Sequence, residues 1–234
     1  MAKPTGIILA ETTSYIDGQP IVVIATLKSS NRKTGNQIQV YILRSDVPPL
    51  EAIASGGDYS ICGDCKHRKD ASGVRTCYVN VAQSVNSVWK AYQRGSYSHC
   101  KRSELASYFE GRSVRLGAYG DPALIPADIV REVLHASAKH TGFTHRWRDS
   151  EAAVFKGLLM ASCDNTRDWI EATLDGWQTF NVTPQGKAPV SPTLKQCPAS
   201  VASSEASCLT CSLCNGAKTS IYVPAHGVNG SKVQ

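Results

Sequence analysis

Cysteine spacing near the C-terminus is the feature that most constrains this chain. Cys197 is followed by a proline, and Cys208, Cys211 and Cys214 then follow with two residues between neighbours. The segment holds few hydrophobic residues and has no helical period, so packing into a core does not explain the pattern. Because thiolates are metal ligands, the spacing predicts a metal-binding loop.

The same spacing favours an iron–sulfur cluster over zinc. Zinc is one tetrahedral ion, and its structural sites are usually built from two separated cysteine pairs. A [4Fe–4S] cluster takes cysteine thiolates on separate irons, and bacterial ferredoxin motifs carry a proline after the remote cysteine. We therefore predict a [4Fe–4S] cluster bound by Cys197, Cys208, Cys211 and Cys214. Zinc and a metal-free loop are the alternatives.

A second cysteine group lies in the loop over residues 56–78. Cys62 and Cys65 form a Cys-x2-Cys pair, and Cys77 follows it. These three predict a second metal site that holds either structural zinc or another iron–sulfur cluster with an open iron. The fourth ligand stays open among three candidates, namely Cys100, His67 and His99.

Composition is that of a soluble globular protein. The chain has 234 residues, of which 42% are hydrophobic and 19% charged, both ordinary values. No apolar run approaches the roughly 20 residues that cross a bilayer, and the N-terminus lacks a secretory pattern. We therefore expect a cytoplasmic protein without a membrane partner. In that compartment cysteine clusters bind metal more often than they form disulfides.

Basic residues form short clusters, although the net charge is only +6. Such clusters are usually solvated surface loops, and they also permit contact with nucleic acid phosphates. DNA or RNA binding through residues 28–33 and 66–69 is therefore one hypothesis. The sequence predicts no oligomeric state. The clusters lie at residues 28–33, 66–69, 101–102 and 146–148.

Hydrophobic periodicity changes along the chain. Residues 1–55 predict antiparallel strands joined at an Asp17-Gly18 turn. From residue 113, short strands and helices alternate, which predicts a parallel sheet with helical crossovers. Cys163, at the end of one such strand, has no paired cysteine and is predicted to be a buried thiol.

The carboxyl ends of parallel strands are where functional residues of α/β folds lie. That rule selects Asp121, His145 with Arg146, Asp164 and His226. Such residues can bind a phosphate-bearing ligand or move a proton. Asp121 and Asp164 have local alternatives, as a turn residue and a helix N-cap. His145 and Arg146 have none and are the stronger candidates for a catalytic role.

Several motifs together resemble an uncharacterised family of cysteine-rich proteins from bacteriophages and mobile elements. That family is distantly similar to radical-SAM enzymes. The resemblance covers most of the chain, from about residue 35 to 227. The motifs are Cys62-Gly-Asp-Cys65, Val114-Arg-Leu-Gly-Ala-Tyr-Gly-Asp-Pro122, Thr141-Gly-Phe-Thr-His-Arg-Trp147, Leu159-Met-Ala-Ser-Cys-Asp164, the C-terminal cysteines and His226-Gly227.

This resemblance implies an α/β fold with an incomplete parallel (β/α) barrel over residues 56–227. An N-terminal antiparallel β extension (1–55), a C-terminal cysteine-rich metal loop and a flexible tail (228–234) complete the expected organisation. The two metal loops span residues 56–100 and 197–214. A phage-encoded chain would work in the cytoplasm of its bacterial host.

The implied activity is radical or redox chemistry on a nucleotide or nucleic acid. Radical-SAM enzymes carry Cys-x3-Cys-x2-Cys and a Gly-Gly-Glu signature, and neither is present here. SAM is therefore a conceivable cofactor without a supporting motif. A non-catalytic nucleic-acid-binding protein with structural metals, or a host-directed interaction protein, are the alternatives.

Overall fold

The computed structural model of the protein describes residues 4–31, 34–201, 204–226 and 230–233. Part of the basic cluster at 28–33 and part of the expected tail lie outside these residues. The strands are β1 (Gly6–Thr13), β2 (Pro20–Thr26), β3 (Ile38–Arg44), β4 (Ser98–His99), β5 (Ser113–Tyr119), β6 (Lys139–Thr144), β7 (Met160–Cys163), β8 (Thr179–Thr183), β9 (Lys195–Gln196) and β10 (Ile221–Pro224). The α-helices are α1 (Pro49–Ser55), α2 (Tyr59–Cys62), α3 (Asn86–Gln93), α4 (Leu105–Phe109), α5 (Ala127–Ala136), α6 (Thr166–Leu174) and α7 (Cys208–Cys211).

All ten of these strands belong to one mostly parallel sheet, so the predicted α/β class is confirmed. The strand order is β4-β1-β2-β3-β5-β6-β7-β8-β10-β9. β2 pairs antiparallel with both β1 and β3, which makes β1 and β3 parallel to each other. The other pairings are parallel. Only β2 among the described strands therefore runs against the rest.

The N-terminal strands are continuous with the parallel part of the sheet. The predicted antiparallel pairings of β1, β2 and β3 are present, and β3 then pairs in parallel with β5. β3 is buried along its whole length, as expected of a central strand with both faces covered. The short strand β4 returns to the free side of β1.

Closure of the sheet into a barrel is not confirmed. Strands β4 and β9 are the two ends of the order, and no pairing within the described residues joins them. The incomplete barrel therefore stays a prediction.

Two helical segments begin irregularly. A 3-10 turn over residues 102–104 precedes α4, which begins at Leu105. The helical segment after Asn80 starts as a π-helical turn, Val81–Val85, whose Gln83 departs from helical geometry before α3 begins.

One face of the sheet carries a polar row across its centre. Gln39, Arg115 and Thr141 are register partners on β3, β5 and β6, so their side chains share a face. Tyr41 and Tyr119 are paired in the same way. Two buried polar atoms here have no hydrogen-bond partner among the described residues, namely Nε of Arg115 and the hydroxyl of Tyr119.

Candidate functional site

The four C-terminal cysteines line one small cavity. Cys197, Cys208, Cys211 and Cys214 surround it together with residues of β6 and β10. Their clustering agrees with the sequence prediction that these four thiols act together.

Backbone contacts hold this cysteine segment on the sheet. Cys197 follows β9, and its amide donates to the carbonyl of Tyr222 on β10 (2.8 Å). The amide of Gly142 on β6 donates to the carbonyl of Cys214 (3.0 Å). Between them, α7 opens with a capping box from Ser207 and Thr210, which satisfies otherwise unpaired amides at the helix start. The thiols are therefore positioned by three separate elements.

The sulfur atoms repel each other when ionised. Burial raises the pKa of the Cys214 thiol, and the charges of Cys197, Cys208 and Cys211 raise it further. Without a cation the Cys214 thiol therefore stays protonated, and a bound cation would favour its thiolate form. The donor set fits a bound metal centre.

The N-terminal thiols Cys62, Cys65 and Cys77 also come together. Cys62 ends α2, and its carbonyl accepts from the amide of Cys65 (3.3 Å). Burial raises the pKa of Cys62, followed by the charges of Cys65 and Cys77. A backbone bond from the amide of Cys77 to the carbonyl of His67 (2.9 Å) joins the two arms of the loop.

Cys100, predicted as a fourth ligand of this group, lies elsewhere. It follows β4, where its amide donates to Ile8 on β1 (2.8 Å). Burial raises the pKa of its thiol, and its charged neighbours are Glu104, Glu132 and Arg102. Cys62, Cys65 and Cys77 are not among the groups that shift this pKa. Cys100 as a fourth ligand therefore stays a prediction, and the structure puts it on the edge strand that pairs with β1.

His145 lies beside the thiol group of Cys62, Cys65 and Cys77. Its Nε2 lies 3.8 Å from the sulfur of Cys65 and 3.4 Å from Oδ2 of Asp164. His67 reaches the other oxygen of Asp164, with Nε2 3.0 Å from Oδ1. His67, His145 and Asp164 have metal-binding atoms within 4.8 Å of one another. Two predicted strand-end residues thus meet His67, which the sequence offers only as an alternative thiol-site ligand.

Electrostatics couple the three residues. Burial lowers the pKa of His145, but the charges and hydrogen bonds of Cys65 and Asp164 outweigh it and raise the pKa well above the usual value. Burial likewise opposes ionisation of Asp164, yet hydrogen bonds from His145 and His67 lower its pKa overall. The carboxylate is therefore held ionised by its two partners.

Asp121 has a structural role instead of an open catalytic one. Its carboxylate accepts from the amides of Ala123 (3.0 Å) and His145 (2.8 Å), and its own amide donates to Ile61 on α2. It thereby joins the ends of β5 and β6 to the helix that carries Cys62. The turn role that the sequence allowed is present, and the contact with His145 is added to it.

The guanidinium of Arg146 is also bound by acidic side chains of the protein. Its guanidinium donates to Asp149 (2.6 Å) and to Asp64 (2.6 Å), which lies between Cys62 and Cys65. Arg146 therefore fixes the Cys-x2-Cys loop to the end of β6, and its partners compete with any phosphate ligand.

Three further residues predicted at strand ends are Cys163, Asp164 and His226. Cys163 is buried, as predicted. Asn165, whose side chain accepts from the amide of Asp168, is the N-cap of α6, so Asp164 does not serve that role. His226 is exposed, and its Nδ1 lies 2.9 Å from the carbonyl of Pro224.

Basic side chains of the predicted nucleic-acid loops are largely engaged within the protein. Arg68 pairs with Asp58, while Lys66 and Lys69 donate to the carbonyls of Asp164 and Ala54. The clusters at 101–102 and 146–148 also form ion pairs with nearby acidic side chains. These pairings reduce the charge available to a phosphate backbone.

Comparisons with protein-family models, curated proteins and solved structures found no match for this chain. The family resemblance and its implied activity therefore stay predictions. Within the described part of the chain, no helix is long and apolar enough to cross a membrane.

Proposed function

We propose that this protein is an iron–sulfur redox protein whose [4Fe–4S] cluster is bound by Cys197, Cys208, Cys211 and Cys214. The observation that carries the proposal is the convergence of these four thiols on one cavity. The two-residue spacing from Cys208 to Cys214 and the proline after Cys197 favour a cluster over zinc. A cluster with four cysteine ligands would supply one-electron transfer.

Arg115 connects this centre to the second thiol group. Its positive charge lies close enough to Cys208 and Cys214 to affect both electrostatically. Its guanidinium also donates to the hydroxyl of Tyr78, the neighbour of Cys77. Arg115 therefore offsets negative charge at the first centre and orders the loop of the second. We propose that the second centre, at Cys62, Cys65 and Cys77, binds zinc or another cluster.

The polar row on the sheet is mostly buried in the interior. Arg115 and Tyr119 hold unpartnered buried polar atoms there, as counted over the described residues. Such atoms cost free energy unless water or a ligand binds them. This row supports the finer proposal of an incomplete barrel with a polar interior. Radical or redox chemistry on a nucleotide or nucleic acid, with SAM as an open question, is the corresponding activity.

The test is anaerobic purification followed by iron analysis and electron paramagnetic resonance of the reduced protein. We expect visible absorbance and about four irons per chain for one cluster. Cys211→Ser should lower both iron content and stability, since metal-binding energy is folding energy in such loops. Cys100→Ser is the matched control and should retain full iron. A colourless protein that holds only zinc would refute the proposal.

Non-catalytic binding of nucleic acid is the alternative function. Because the basic side chains described at 66–69, 101–102 and 146–148 are engaged within the protein, we expect only non-specific affinity, with a Kd of about 10⁻⁴–10⁻⁶ M that weakens steeply with salt. Fluorescence anisotropy with labelled DNA and RNA at low and high salt measures this. Nanomolar binding by the metal-free protein would favour the alternative.

A further inference from the structure

Three side chains from three distant parts of the chain meet beside the second thiol group. His67 comes from the loop after α2, His145 follows β6 and Asp164 follows β7. All three side chains are mostly buried, with exposed fractions of 12%, 25% and 8% respectively. Burial of two imidazoles around one carboxylate is costly unless each polar atom has a partner.

Their separations are those of ligands around one ion. Nε2 of His67 is 3.0 Å from Oδ1 of Asp164, and Nε2 of His145 is 3.4 Å from Oδ2. Tetrahedral ligands with bonds of about 2.0–2.1 Å are ~3.3 Å apart. Without a cation, both contacts to Asp164 require a proton on Nε2 of each histidine. With a cation, the same atoms present lone pairs to it.

The surrounding contacts hold each ligand in place. Nδ1 of His67 lies 2.8 Å from the hydroxyl of Thr76, which leaves Nε2 directed at Asp164. The backbone amide of His145 donates to Asp121. Such outer contacts orient ligands at metal sites. The loop carrying His67 is fixed to β7 by Lys66, which donates to the carbonyl of Asp164 (3.0 Å).

We propose that His67, His145 and Asp164 bind a single divalent transition-metal ion, Zn²⁺ or Fe²⁺, in a site distinct from both thiolate centres. Two histidines and one carboxylate form a known donor set for these ions. Three protein ligands leave a coordination position open, as in catalytic sites. The site needs no cysteine ligand, although the sulfur of Cys65 lies 3.8 Å from Nε2 of His145. The inference does not depend on a [4Fe–4S] cluster at the C-terminal cysteines.

Cobalt is the probe that separates this site from the thiolates. The reduced full chain is treated with chelator and then titrated with Co²⁺. One equivalent of bound Co²⁺ should give visible absorption bands without thiolate charge-transfer absorbance. His67→Gln and Asp164→Asn should each weaken that equivalent at least tenfold. Cys62→Ser, in the adjacent thiol group, and Asp175→Asn, an exposed carboxylate, should leave it unchanged.

Two results would overturn the proposal. One is thiolate charge-transfer absorbance that accompanies every equivalent of Co²⁺ bound by the folded wild-type protein. This test needs no variant. The other is equal loss of the equivalent in Cys62→Ser, which would assign the histidines to the thiolate centre. Failure of the [4Fe–4S] proposal shows instead as missing iron in anaerobically purified protein, so the two failures are distinguishable.

Discussion

Single residues decide how the first cysteine loop folds. Gly63 lies between Cys62 and Asp64 with a φ of +58° and a ψ of −137°, a conformation that side chains with a Cβ rarely adopt. A Cβ there would also lie 2.5 Å from Nη1 of Arg146. The glycine therefore permits Arg146 to hold the loop through Asp64.

Gly63→Ala should destabilise the protein by about 1–3 kcal/mol through backbone strain, with a further loss from displacement of Arg146. Gly73→Ala is the control. Gly73 also has a positive φ (+85°), but a Cβ added there would meet no atom of the described residues beyond its chain neighbours within 4 Å. Urea unfolding of both variants measures the difference. Equal losses would show that the contact with Arg146 has no energetic role.

At the scale of elements, His140 fastens the C-terminal cysteine segment to the sheet. From β6, its Nε2 lies 2.9 Å from the carbonyl of Leu158 and 3.0 Å from that of Asn215, the residue after Cys214. Burial lowers the pKa of His140, and the two carbonyl bonds only partly oppose this. The neutral imidazole with its proton on Nε2 is therefore the form that holds the segment.

The sign of the pH effect follows from that lowered pKa. The contribution of His140 to stability is present above the unfolded-state pKa of about 6.5 and is lost as the pH falls through the lower folded-state value. His140→Gln keeps N–H donors but does not titrate. The difference in unfolding free energy between wild type and variant should therefore shrink as the pH falls below about 6.5. A difference that stays constant between neutral and acidic pH would contradict this account.

At the scale of the whole molecule, one sheet contains strands from both sides of the expected boundary at residue 55. β3 pairs with β5 across the expected boundary at residue 55, and β4, from after that boundary, pairs with β1. β1 and β3 therefore each take one of their two neighbouring strands from a later part of the chain.

We expect the chain to unfold in one cooperative transition and a fragment of residues 1–55 to remain unfolded. Far-ultraviolet circular dichroism and tryptophan fluorescence should give coincident curves, because Trp89 bonds to β3 and Trp177 precedes β8. Coincident probes indicate a single transition. Two separated transitions, or a folded fragment, would show that the N-terminal strands form an independent unit.

Local patterns were sufficient to predict the α/β class, the grouping of the C-terminal cysteines and the strand-end positions of His145 and Asp164. Each depends on short-range periodicity or spacing, which is written in consecutive residues. The thiols from Cys208 to Cys214 are neighbours in sequence, so their proximity needs little tertiary structure.

The tertiary structure alone decides which distant residues meet. Cys100 follows the edge strand β4, so strand order and not sequence distance sets its neighbours. His67 reaches Asp164, 97 residues later in the chain, and Asp121 and Arg146 are engaged in structural contacts. Long-range pairing depends on strand order and loop path, which no local pattern encodes. The residue types in the chain set the donor chemistry, and the fold sets which donors share a site.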